Sequence, residues 1–188
     1  MRAVPGLTVL SPADGAEIIK TIAAAVEFHG PLYIRLTGAM NNPIVYSEDY
    51  DFSIGRAVTL QEGNDVTLIA TGTMVFESLI AAKILNESSI STRVVNMHTI
   101  KPLDTSIVDL ACKTSKLIVT VEEHGIIGGL GGAVAEYKAT IKNSPKQLFI
   151  GLPDKFGNAG EYKYLLNKYG LTGEKIALKI KNSYTEGE

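Results

Sequence analysis

The 188-residue chain has little of several things, and each shortage removes a class of function. It has one cysteine, Cys112, so no internal disulfide framework is possible. The flanking "DLACKT" reads as one face of a helix, which makes Cys112 a packing residue and not a reactive thiol. A reducing, cytoplasmic setting fits that usage. There is no excess of positive charge: 18 Lys and Arg stand against 20 Asp and Glu, a formal net charge of -2. Without a global positive field the chain is not built to hold nucleic acid. No apolar run reaches the ~20 residues that span a bilayer, and the start "MRAVPGLTVL" lacks the apolar stretch and cleavage site of a signal peptide. No membrane partner is expected. Repeats and low-complexity tracts are absent as well.

Chemical signatures are also scarce. No G-K-[ST] of a nucleotide-binding loop occurs, no G-x-S-x-G elbow, and no histidine-backed cysteine. Glu and His cluster only at 122–124, with no second His at ligand spacing, so no metal site is expected.

What the chain does have is a soluble core composition, 45% hydrophobic and 20% charged, and alternating short elements. β-Branched runs at 7–10, 32–36, 66–71, 92–97, 116–122 and 147–152 are separated by helical patterns. The order reads β-α-β, a linker, then β-α-β-α-β-α-β, which argues for an α/β fold with a three-layer, mostly parallel sheet. The first helix opens at Ser11-Pro12-Ala13-Asp14, where Ser11 or Asp14 can cap it and Pro12 needs no amide hydrogen bond. His29-Gly30-Pro31 ends it. Thr73 is placed to cap the next helix and Asp104 the one after. "NNPIVYSEDYDFSIGR", 41–56, has no helical or strand period and marks a boundary. The chain divides into 1–56 and 57–188.

"VTVEEHGIIGGLGGAVAE" carries the densest signal. Its glycines permit several G-x-G-x-x-G-like readings, but none lies in a first βα unit with an acidic residue ~20 positions on. The simpler reading is geometric: glycines let the chain turn and let a helix over 129–142 approach the sheet closely. Glu122, Glu123 and His124 then stand at the carboxyl end of a parallel strand, where such sheets place ligands or contacts. His98 precedes "TIKPLD" at a similar edge, with Lys101 and Asp104 read as pairing or capping groups. Arg35, inside "LYIRLTG", leaves two readings open: a salt bridge to a neighbouring acid, or recognition of a phosphate or carboxylate by its planar fork.

Taken together, "RAVPGLTVLSPAD", "TIKPLD", "VTVEEHGIIGGLGGAVAE", "IGLPDKFGNAG" and "LLNKYGLTGEKI" resemble the C-terminal part of transketolase and of 1-deoxyxylulose-5-phosphate synthase. Order and spacing match across nearly the whole chain. The resemblance implies that 1–56 is the tail of a pyrimidine-binding domain with its linker and 57–188 a transketolase C-terminal domain. It also implies thiamine diphosphate and Mg in the complete enzyme, which moves two-carbon ketol units between sugar phosphates.

The family's G-D-G…N motif and the stretch with its pyrimidine-activating glutamate lie upstream of "RAVPGLTVL" and are absent. The chain alone is therefore expected to bind no cofactor and to be inactive, needing an N-terminal half as a separate chain or missing region. Its abrupt start favours a fragment, and a homodimer is expected. Many family members carry R-x-x-R after the corresponding strand. Here Arg35 matches the first arginine, as a possible substrate contact, and Gly38 stands at the second, which puts phosphate recognition in doubt. The resemblance assigns Gly128 and Gly129 to close packing, and Glu122 and His124 to an interdomain or intersubunit surface. A second reading is a non-catalytic docking module, like the domain that ends the β-subunit of 2-oxo-acid dehydrogenases.

Overall fold

The computed structural model describes residues 1–37 and 42–185. Two sheets organise them. The smaller is formed by β1 (Thr8–Leu10), β2 (Leu32–Ile34) and β6 (Thr99–Lys101), in the order β2-β1-β6. β1 and β2 run parallel and are joined by helix α1 (Gly15–Glu27), while β6 pairs antiparallel with β1. A strand from the second segment of the chain thus completes the sheet of the first.

The larger sheet has the order β3-β5-β4-β7-β8, with β3 (Val58–Gln61), β4 (Val66–Ala70), β5 (Thr92–Asn96), β7 (Leu117–Gly125) and β8 (Lys146–Leu152). Only β3 is antiparallel to its neighbour. Central strands β4 and β5 are buried along their whole length; β4 reads as a nearly continuous apolar run, while β5 also carries Arg93 and Asn96.

The sheet is covered on both faces. Val66, Leu68 and Ala70 of β4 and Leu117, Val119 and Val121 of β7 pack toward α2 (Met74–Glu87) and α6 (Gly173–Thr185), through Met74, Leu85, Ile176 and Ile180. Ile69 and Ile118 face the other way, onto Val108 of α3 (Thr105–Thr114) and Leu130 and Val134 of α4 (Leu130–Lys138). Helix α5 (Tyr162–Tyr169) adds Leu166 to the first of these cores. The expected three-layer, mostly parallel α/β arrangement is what the chain forms.

Several local expectations change. The short strands β3 and β6 were not anticipated, and α4 stops at Lys138 instead of reaching 142. Asp14, not Ser11, caps α1 by accepting from Glu17 N at 2.8 Å. Asp104 caps α3 through Ser106 N at 3.2 Å. Thr73 does not cap α2: its hydroxyl is drawn off to Glu123 Oε2, 2.6 Å away, and it has helical backbone angles already. Lys101 does not pair with Asp104; its ammonium donates to the carbonyls of Arg2 and Val4. Cys112 packs beside the α3/α4 core, and burial pushes its thiol up, away from thiolate reactivity.

Candidate functional site

The carboxyl ends of strands from both sheets converge on one cavity of about 200 Å³. Ser11 follows β1, Arg35 follows β2, Thr71 follows β4, and Glu122, Glu123 and His124 end β7; Met1 and Arg2 close the rim with Gly128 and Gly129. This edge is where parallel strands deliver side chains without a ladder neighbour to cover them.

Glu122 is the most constrained of these groups. It is 2% exposed, and its two oxygens accept hydrogen bonds from Leu130 N (2.8 Å) and Gly131 N (2.9 Å) at the start of α4. A helix N-terminus offers unpaired N–H groups and the positive end of the helix dipole. Here the chain's own carboxylate fills that place, so the glycine-rich turn is no vacant phosphate cradle. Burial pushes the Glu122 carboxyl above its ordinary range, against the lowering effect of those two N–H bonds. Gly129 is what makes the approach possible, since a Cβ there would overlap Glu122 Oε2. Gly131 has a similar duty toward the Phe149 ring. The packing assigned to Gly129 is therefore packing against Glu122. Gly128, with φ +78°, supplies the left-handed turn before it.

The neighbouring groups are less enclosed. Arg35 donates from Nη2 to the Glu123 carbonyl at 2.8 Å and makes no salt bridge among the described residues. Of its two readings, the salt bridge has no counterpart among the described residues. Gly38, at the position of the second arginine, lies outside the described residues. His124 is exposed at the cavity rim, its Nδ1 2.9 Å from the Gly125 carbonyl. Arg2 grips Glu136 with both terminal nitrogens, at 2.5 and 2.7 Å, and donates to Gly128 O at 3.3 Å; the Glu136 bond pushes its guanidinium up.

Two polar clusters were missed by reading the sequence. Glu123 Oε2 accepts from Thr73 (2.6 Å) and from the Tyr162 hydroxyl (2.8 Å), and burial pushes the tyrosine up. Glu123 is also the wall between this cavity and an apolar one of about 190 Å³ lined by Leu152, Leu165 and Tyr169.

The second cluster centres on Glu17, which is fully buried. It accepts from Ala13 N (2.6 Å), Tyr50 OH (2.7 Å), Asn96 Nδ2 (2.8 and 3.0 Å) and Tyr46 OH (3.3 Å). Burial and then Glu17 push both tyrosines up, although for Tyr50 the direct bond to Glu17 outranks its charge. His98, expected at the ligand edge, is instead sealed in nearby. It stacks on Phe52 at 4.3 Å, with Nδ1 on Thr99 Oγ1 at 2.9 Å, and burial pushes its imidazole down. The signal for this cluster was a glutamate three residues beyond an N-cap, with tyrosines in an otherwise patternless segment.

The family model for the transketolase C-terminal domain matches residues 55–176. A Methanocaldococcus jannaschii relative named as a transketolase C-terminal section is 44% identical over 182 residues, covering 96% of this chain and 56% of its own length. A 1-deoxy-D-xylulose-5-phosphate synthase from Dictyoglomus thermophilum is 35% identical over 181 residues, covering 96% of this chain and 29% of its own. Among solved structures, a split-gene transketolase described as an inactive β4 tetramer superposes with a TM-score of 0.93 at 38% identity. That match covers all of this chain and 61% of the other. The chain spans about half the length, or less, of the curated relatives it matches. By this match of sequence and fold, the chain belongs to the transketolase family, with residues 55–176 matching its C-terminal domain.

Proposed function

We propose that the chain is the C-terminal portion of a thiamine diphosphate-dependent transketolase-type enzyme that moves two-carbon ketol units between sugar or sugar-phosphate substrates. In this reading residues 1–56 are the end of the pyrimidine-binding domain and its linker, and the whole works in the cytoplasm as a homodimer. The observation that carries it is the match of 55–176 to the family's C-terminal domain on the expected sheet.

The residues in hand do not fit the cofactor itself. The one glycine-rich helix N-terminus that resembles a phosphate cradle is filled by Glu122. In this reading cofactor and metal belong to the N-terminal half, and no chemical step runs through them in this chain. The part given to this chain is packing, together with Arg35 as an oxyanion contact in the cavity between the sheets.

Calorimetric titration of the chain with thiamine diphosphate and Mg²⁺ should give no saturable heat. Ketol transfer to an aldehyde acceptor should appear only when the upstream half is supplied. Tight cofactor binding by the chain alone would overturn this division of labour.

A further inference from the structure

His98, between β5 and β6, is a fully buried base whose Nε2 has no hydrogen-bond partner among the described residues. Its other nitrogen is committed. Gly55 N donates to Thr99 Oγ1 at 3.0 Å, and that hydroxyl lies 2.9 Å from His98 Nδ1. The bonds run in one direction, from the Gly55 N–H to the hydroxyl oxygen and from the hydroxyl proton to the ring. This network assigns the neutral imidazole, with its proton on the unpartnered Nε2.

The segment 42–57 is strapped down around this ring, and it has no helix or strand of its own before Val58. Every fastening runs to a buried side chain. Val45 N and Tyr46 N donate to Asp14 Oδ2 (2.7 and 3.2 Å), the Tyr46 and Tyr50 hydroxyls to Glu17, Gly55 N to Thr99, and Ala57 N to Asp104 Oδ2 (2.9 Å). Between the two groups of bonds, Phe52 stacks on the imidazole itself. We propose that His98 is the proton-sensitive latch of this strap, which stays closed over the neutral ring and opens when the ring takes up a proton.

The proton lands on Nδ1, the lone pair that now accepts from Thr99. The hydroxyl must then turn round and accept, and Nε2–H carries positive charge with no acceptor to answer it. Charged groups act on the ring from two elements, Glu17 of α1 and Asp104 ahead of α3, and the strap adds the Arg56 carbonyl. Asp49 of the strap is paired outward with Lys20. Glu17, Asp104 and the carbonyl all favour the imidazolium, yet burial outweighs them and holds the folded-state pKa below the ordinary 6.5. Opening the strap admits water and restores the ordinary value. Closure is therefore at full strength above the ordinary pKa and is lost as the pH falls through it toward the folded value, by at most about tenfold in the closed-to-open ratio per pH unit. Burial of the Glu122 carboxyl has the opposite sign and acts at α4.

Hydrogen exchange of the whole chain, read amide by amide between about pH 7.5 and about pH 5.5 and corrected for the intrinsic rate, reports this opening directly. The amides of Val45, Tyr46, Gly55 and Ala57 should lose protection several-fold at the lower pH, while those of Leu68 and Ile69 in β4 keep theirs. The chain has three histidines, and His29 and His124 are exposed. The double variant His29→Gln, His124→Gln leaves His98 alone and should behave as the wild type does. His98→Asn cannot titrate, and its strap amides should show the same protection at both pH values. Should that variant not fold, the His98 ring resonance of the wild type decides, since it should titrate below 6.5. Strap protection that is unchanged with pH overturns the proposal, as does a loss shared equally by β4, a loss that persists in His98→Asn, or a ring that titrates at or above 6.5.

Discussion

The Glu122 carboxylate and Gly129 are fitted to each other: the first occupies the volume that any side chain on the second would need. Gly129→Ala must expel the carboxylate from the start of α4, leaving two N–H groups and a buried acid without partners. That should destabilise the chain by about 2–4 kcal/mol in urea denaturation. Gly125 is the control, since a Cβ there meets nothing within 4 Å, and Gly125→Ala should stay within about 0.5 kcal/mol. Equal losses at the two positions would falsify the fit.

The same carboxyl gives the chain a pH signature. Burial raises its folded-state pKa above the ordinary 4.5, so the folded chain holds this proton more tightly than the unfolded one. The contribution to stability is full below the unfolded pKa and is lost as the pH rises through the folded value. Glu122→Gln cannot titrate. The stability of the wild type relative to Glu122→Gln should therefore decline as the pH is raised from about 4 toward 7. Urea midpoints of both proteins across that range measure the difference, and a gap that widens in favour of the wild type with rising pH would refute the assignment.

Glu17 ties three separate parts of the chain together: α1, the segment carrying Tyr46 and Tyr50, and Asn96 at the end of β5. Glu17→Ala leaves several buried donors unanswered and should lose about 3–5 kcal/mol. Tyr50→Phe removes one donor and should lose about 1–3 kcal/mol, since the bond is to a charged group. Limited proteolysis between 42 and 52 should accelerate in Glu17→Ala ahead of cleavage elsewhere. Uniform cleavage would mean that the segment is held by other contacts.

The contrast between α1 and the central sheet marks what could be read from residues alone. β4 and the first half of β7 were legible because strands buried on both faces read as nearly continuous apolar, β-branched runs. Helix α1 was legible as a helix, yet its periodicity is the same whichever face turns inward. Only the Glu17 cluster decides that, and its partners at 46, 50 and 96 are far apart in sequence. β3 and β6 escaped notice because four and three residues are too few for a period, and their antiparallel pairing is set by distant strands. Thr73 looked like a cap by type and position. A stronger acceptor, Glu123, arrives from β7 and takes its hydroxyl. At the site, Glu122 and Gly129 were both singled out, the first for an interdomain or intersubunit surface and the second for close packing. Their contact with each other depends on how β7 turns into α4, which no spacing rule encodes.

Arg35 provides the last test, because tying β2 to β7 and binding an oxyanion predict different behaviour. Its bond to the Glu123 carbonyl uses one of five N–H donors, and the guanidinium lines the cavity where the strand ends meet. A purely structural arginine would lose stability on Arg35→Met with no change in response to added anions. An oxyanion contact predicts more: inorganic phosphate should stabilise the wild type by about 1.4 kcal/mol at ten times its dissociation constant, and Arg35→Met should lose that gain. Arg35→Lys should keep part of it, since lysine retains the charge but not the fork. Thermal melts of the three proteins in phosphate, with chloride at matched ionic strength as the reference, separate the two roles. If the phosphate gain is absent from the wild type or survives intact in Arg35→Met, the arginine is a strand tie and the oxyanion role fails.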